Sequence, residues 1–245
     1  MKDRFSIQSR AYAVYRPHFP EELYRFILQY VVSFDLAWDA GTGNGQTAIR
    51  LSDHLKKVVA TDISESQLAA AFQKPNIVYR KESAEHSSIP DHTVNLVTVS
   101  QAIHWFDFEK FYNEVRRVAT KDAIIAVFCY NNIRSSHGVV DRLLSGFYQS
   151  TAAYWDYERR YVDAGYRDIP FPFAEIKAPV FRISCSWTLQ QLTGYIETWS
   201  ASQHYRREHG RSIIPSSLIK ELAAQWPESV LDFYFPVHLR LGRIG

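Results

Sequence analysis

From Phe34 onward, short apolar runs alternate with segments whose apolar residues recur at helical spacing. Residues 34–39 predict a strand closed by Gly41, Gly43 and Gly45, with a helix over 47–55 behind it. Residues 58–62 predict a second strand. Ser64 then stands three residues before Gln67 in capping-box form and opens a helix to Phe72. Residues 77–81 and 94–99 predict strands three and four. Asp107 caps a helix with apolar residues at Phe108, Phe111, Tyr112, Val115 and Val118. Residues 123–130 form the fifth strand, continuously apolar as a strand buried on both faces must be. Alternation at this spacing gives right-handed crossovers and a doubly wound α/β fold with a parallel sheet.

Two parts stand outside the alternation. A helical run over 21–32 follows the aromatic-basic segment Tyr12-Ala13-Val14-Tyr15-Arg16-Pro17. After Tyr130 the chain becomes rich in aromatics and prolines. Near its end Leu231, Phe233, Phe235, Val237, Leu239 and Leu241 alternate with polar residues and Pro236, a strand signature of period two. Pro236 argues for an edge position, a bulge or a late strand start. The reading is one domain: 1–33 a flap and helix, 34–130 the core, 131–245 covering helices and the last strands. Helices around 192–204 and 216–225 are expected to cover the pocket.

Composition narrows the function. With 46% hydrophobic and 22% charged residues the chain is globular, and 28 basic against 26 acidic side chains leave +2. That is too little for a dedicated phosphate-backbone binder, so no nucleic-acid partner is expected. No apolar run reaches spanning length and no hydrophobic signal core opens the chain, so no membrane partner is expected either. Two cysteines, Cys129 and Cys185, suit a reduced cytoplasmic setting. No metal is expected: a Cys-based zinc site is excluded by count, and His204 and His209 have no acid or Cys cluster of ligand spacing nearby.

Asp39-Ala40-Gly41-Thr42-Gly43-Asn44-Gly45 joins a strand to a helix. Glycines there let backbone approach a ligand closely, and the helix N-terminus offers free N–H groups. Asp62, about 20 residues on, ends strand two, where an acid accepts both ribose hydroxyls of an adenosine. A dinucleotide fingerprint needs its third glycine where Gln46 stands. Asp39 would repel a diphosphate and suits a ligand carrying an ammonium group. The pattern favours S-adenosylmethionine (SAM) over NAD.

On these residues the chain resembles the class I SAM-dependent methyltransferases. The family's first motif lies in Asp39 to Gly45, its second in Ala60-Thr61-Asp62-Ile63-Ser64, the adenine loop in Ser83-Ala84-Glu85 and the fourth-strand motif in residues 94–102. More narrowly, Ser9 to Pro17, the run Ser100-Gln101-Ala102-Ile103-His104-Trp105-Phe106-Asp107 and the tail Leu239 to Ile244 are similar to a small-molecule branch that includes trans-aconitate methyltransferase-like proteins. The resemblance implies a Rossmann-like, seven-stranded, mostly parallel sheet, with SAM as cofactor and S-adenosylhomocysteine as product. It implies that Asp39 and the backbone of Gly41, Thr42 and Gly43 hold the methionine part. Asp62 would take the ribose, Ile63 pack on adenine, Ser83 and Ala84 line the adenine edge, and Gln101 pass beneath the sulfonium. Many members carry Asp where this chain has Ser83.

His104 and Trp105 follow strand four, at the sheet edge where ligands sit. His104 is a candidate catalytic base, since an alcohol or amine acceptor must lose a proton. It also suits substrate contact, or a packing pair with Trp105 that seats the next helix. Tyr12, Tyr15 and Arg16 are candidates for substrate binding as a flap, aromatic faces meeting the sulfonium and Arg16 an anion. The same residues suit an aromatic staple. The expected activity is methyl transfer to a small organic molecule, with a carboxylate acceptor suggested by the branch. Methylation of RNA or protein, and a non-catalytic SAM-binding regulator, are the alternatives. The Asn/Asp-Pro-Pro-aromatic motif of many amino-methylating relatives is absent after strand four, where Ser100-Gln101-Ala102-Ile103 stands.

Overall fold

The computed structural model describes residues 15–226 and 229–245. Five parallel strands lie side by side in the order β3 (Ile77–Lys81), β2 (Lys57–Asp62), β1 (Leu36–Ala40), β4 (Val94–Ser100) and β5 (Ala119–Tyr130). Helices α1 (Glu21–Leu28), α2 (Gln46–Leu51), α3 (Glu65–Ala69) and α4 (Phe108–Val118) precede or connect them. Strand order reverses between β1 and β4, which opens a crevice at the carboxyl ends of those strands.

The continuously apolar sequence of β5 follows from its position. Ile124, Ala126, Phe128 and Tyr130 enter one core with Leu23 and Ile27 of α1. Ile125, Val127 and Cys129 enter the opposite core with Trp38, Phe111 and Val115. From Ala123 to Tyr130 each face of the sheet is covered, so that run has no polar side to fill, whereas Lys121 and Asp122 before it are exposed. Burying each large side chain contributes roughly 1.5–3 kcal/mol.

The second half adds β6 (Arg134–Ser135), α5 (Gly138–Ser150), α6 (Arg159–Asp163), β7 (Ala174–Ile176), β8 (Phe181–Trp187), α7 (Leu189–Glu197), α8 (Ser200–His209), α9 (Ser216–Ala224) and β9 (Leu231–Arg243). The sheet thus has nine strands where seven were expected. The difference comes from broken edges. Antiparallel β9 pairs with β5 and then β6 along one side, and with β7 and β8 along the other.

Pro236 accounts for one break. It lies inside β9, opposite Arg182 of β8. Its carbonyl accepts from Asn131 N at 2.9 Å, so the side lacking an N–H faces the gap between β5 and β6. From the pair Tyr130–Val237 to the pair Arg134–Tyr234, residues 131–133 oppose only 235 and 236. Of the three arrangements Pro236 allows, a bulge is the one found.

The late tryptophans are packed together. Trp155, Trp187 and Trp199 meet Tyr148, Tyr195, Phe233 and Phe235 with ring centroids 5.1 to 6.1 Å apart. They hold α5 and α7 against β9.

On the other side of the sheet, Glu114 of α4 is buried. Its carboxylate accepts from Ser87 N and Oγ at 2.7 Å and from Arg117 Nη2 at 2.6 Å. Burial alone disfavours the charge, but the Arg117 and Ser87 bonds together outweigh it and bring the pKa down to about 2. A carboxyl lowered on folding stabilises above its unfolded pKa near 4.5, and that contribution fades as pH falls toward about 2. Glu114→Gln is therefore expected to lose about 3 kcal/mol at neutral pH and to flatten the acid limb. Urea midpoints measured against pH check both.

Candidate active site

The carboxyl ends of the five parallel strands surround a cleft of about 1080 Å³. Its floor is the loop after β1. Gly41 has φ +67°, and a Cβ there would lie 2.6 Å from Ala102 Cβ and 3.0 Å from the Phe106 ring, so only glycine lets the loop meet the segment after β4. Gly43, at φ +56°, faces open space: a Cβ would meet only Gln67 Oε1, at 3.9 Å. Its N–H donates to Asp62 Oδ2 at 2.8 Å, while Asp62 Oδ1 accepts from Ser64 N at 2.8 Å. One carboxylate thus ties the β1 loop to the β2 loop.

Asp39 lies beneath this floor, fully buried and outside the lining. Thr42 Oγ1 donates to its Oδ2 at 2.5 Å and Thr98 Oγ1 to its Oδ1 at 2.7 Å. Burial pushes its carboxyl up to about 6 against the pull of these bonds.

Gly41, Thr42, Gly43, Asp62, Ile63, Ala84 and Gln101 line the cleft together, with Arg16 and Trp105. Ser83 does not line it; the residues on either side, Glu82 and Ala84, do. Ser83 instead forms an isolated bridge with His86. Gln101 has φ +55°, uncommon for a side chain of its size. It is held there by its N–H on Phe128 O at 3.0 Å and by Nε2 on Tyr130 O at 3.1 Å.

At the β5 end, Arg16 crosses the mouth. Nη1 donates to Tyr130 Oη at 3.2 Å, Nη2 to Thr198 O at 3.0 Å, and the guanidinium stands 5.6 Å over the Tyr195 ring. Tyr15 is outside the lining and seats on α7, where a Cβ on Gly194 would come within 2.7 Å of its ring. Tyr12 lies outside the described residues. His104, on the turn Ile103–Trp105, is also outside the lining. Its Nδ1 is 2.9 Å from Tyr166 Oη, and burial, with the Arg159 charge, brings its pKa down to about 3.

Several lining residues were not anticipated: Phe19, Asn44, Gln46, Glu82 and Tyr130. Glu82 follows β3 and Tyr130 ends β5, so the rule that singled out Asp62 at the end of β2 applies to them too. Gln46 Nε2 is buried with no hydrogen-bond partner among the described residues.

A family model described as a methyltransferase domain matches residues 38–127. A solved structure from Anaeromyxobacter dehalogenans, provisionally assigned as a type II methyltransferase, is 34% identical and superposes with a TM-score of 0.86 over 94% of this chain and 98% of its own. A methyltransferase of Dictyostelium discoideum, also provisionally assigned, is 28% identical over 98% of this chain and 95% of its length. A Bacillus halodurans structure shares the fold alone, at 17% identity and TM-score 0.52, over 92% of this chain and 99% of its own. Fold, loop and relatives define a group-transfer enzyme built on a doubly wound sheet. The chain belongs to the class I SAM-dependent methyltransferases.

The residues present fit the cofactor. Asp62 closes β2 beside an open glycine backbone, and the unpartnered Gln46 amide is a donor for a carboxylate oxygen. Removing a charge-assisted bond costs about 1.5–3 kcal/mol. Asp62→Ala is therefore expected to weaken SAM and S-adenosylhomocysteine roughly 10- to 100-fold. Isothermal titration checks this, with NAD giving no heat.

Proposed function

We propose that the methyl group goes to a carboxylate oxygen of a small organic acid, giving a methyl ester. One observation carries the reading, the distribution of charge in the cleft. Its lining carboxylates, Asp62 and Glu82, stand at the β2 and β3 end. Around Gln101, Trp105 and Tyr130, at the β4 and β5 end, the charged group among the described lining residues is the Arg16 guanidinium. An alcohol or amine acceptor needs a base to remove its proton, and the described lining residues at this end include no carboxylate or histidine. A carboxylate arrives already deprotonated and is attracted by the cation.

Bound SAM would supply a methyl group activated by its sulfonium, which would become a neutral thioether on transfer to the acceptor oxygen. The chain supplies alignment and exclusion of water. Gly41, Thr42 and Gly43 present loop backbone to the methionine part, and Gln46 offers its amide. Asp62 would accept the ribose hydroxyls, while Ile63 and Ala84 would flank the adenine. Gln101, fixed at positive φ, brings strand-four backbone beneath the reacting centre, and Arg16 turns the acid toward it. Asp39 acts from below by holding Thr42 and Thr98. His104, with so low a proton affinity, contributes contact and not proton removal.

The two unpaired cysteines, Cys129 and Cys185, suit a reducing cytoplasm. Among the described residues no helix is long and apolar enough to cross a membrane. The partner is a small molecule, and no nucleic acid is involved.

With methyl-tritiated SAM and a panel of mono-, di- and tricarboxylic acids, labelled product is expected that releases methanol in alkali. Arg16→Gln should raise the acceptor KM about 10-fold or more, with a smaller fall in kcat. A product stable to alkali would overturn the carboxylate reading.

A further inference from the structure

We propose that Tyr166 is a positioning residue that holds His104 with its proton on Nε2, so that this nitrogen donates to the carboxylate of the acceptor. The inference rests on the carboxylate reading above. Tyr166 is fully buried and has φ +62°, an unfavourable backbone for an aromatic residue. The surrounding structure imposes it. Tyr166 N donates to Tyr161 O at 2.8 Å. Arg240 Nη1 donates to Tyr166 O at 3.2 Å and to Ile169 O at 2.6 Å, while the same guanidinium pairs with Glu175 at 3.0 Å. A ring so fixed puts its hydroxyl at a set point, 2.9 Å from His104 Nδ1.

The direction of that bond decides the tautomer. A phenol, with a pKa of about 10, is a far stronger acid than a neutral imidazole N–H. The bare ring nitrogen is in turn a better acceptor than a phenolic oxygen. The hydroxyl therefore donates to Nδ1, and the single proton of the neutral ring resides on Nε2. Burial, and after it the charge of Arg159, disfavour a second proton; the Arg159 guanidinium lies 4.6 Å over Trp155 and is anchored to Asp163 at 3.0 Å and Asn132 at 2.5 Å.

Nε2 has no hydrogen bond among the described residues. His104 shares its turn with Trp105, which lines the acceptor end of the cleft, and the two rings are 4.9 Å apart. A neutral donor here suits a carboxylate nucleophile. It binds one oxygen without transferring a proton that would quench the other.

The test uses protein labelled with ¹⁵N-histidine and saturated with S-adenosylhomocysteine, read by two-bond nitrogen–proton NMR correlations. The wild type is expected to show a bare Nδ1 and a protonated Nε2 throughout the neutral pH range. Tyr166→Phe, which removes one hydroxyl, should give a mixture of tautomers with S-adenosylhomocysteine affinity within about twofold. Acetate, succinate and citrate serve as carboxylate probes. At least one should shift the Nε2–H signal, and about 10-fold more should be needed in Tyr166→Phe. A proton on Nδ1 in the wild type, an unchanged tautomer in Tyr166→Phe, or a signal unmoved by all three acids would each overturn the proposal. The wild-type tautomer is read without a variant and without turnover. Its failure is therefore distinct from an alkali-stable methyl product, which overturns the carboxylate reading.

Discussion

The carboxylate of Asp62 is the constraint on which the cleft depends. Parallel pairing sets Ala40 beside Thr61, so the next residue of β2 comes level with the glycine loop. One oxygen holds the Gly43 N–H and the other the Ser64 N–H. The backbone adds a second tie between the glycine loop and β2, Thr42 N donating to Thr61 O at 3.0 Å. Asp39 makes the complementary connection below, joining the β1 loop through Thr42 to β4 through Thr98. Because its carboxyl is raised from 3.8 to about 6, stability falls as pH rises between those values and stays lowered above them.

Much of this was legible in the sequence because it is local. The loop glycines, the acid ending β2 and the continuously apolar β5 are consequences of strand–helix alternation, and each falls within a few residues of its cause. What could not be read depends on pairings far apart in the chain. Arg16 meets Tyr130 and Thr198, 114 and 182 positions away, and no periodicity reveals such a meeting. Ser83 shows a finer limit. Ser83 and Ala84 are both expected to line the cleft, but which residues face in depends on where β3 ends: Ala84 lines it, and Glu82 does so in place of Ser83.

The second half was least legible because its strands are short and its helices are held by aromatic contacts, not by strong periodicity. β6 and β7 span two and three residues, too few for any alternation to register. Pro236 is informative in a different way: it narrows the local structure to three arrangements, and the missing donor faces the break between β5 and β6.

The position of β9 has a consequence for synthesis on the ribosome. This strand pairs with four others, all of which precede it in the chain. Until it emerges, β5 has an open apolar edge, and β6, β7 and β8 lack the strand they pair with. The parallel half can form first, but the sheet stays open along its most adhesive side during most of translation. The nascent chain therefore presents a vacancy for a specific thirteen-residue strand. A cellular holding factor or a neighbouring nascent chain is its competitor for that place.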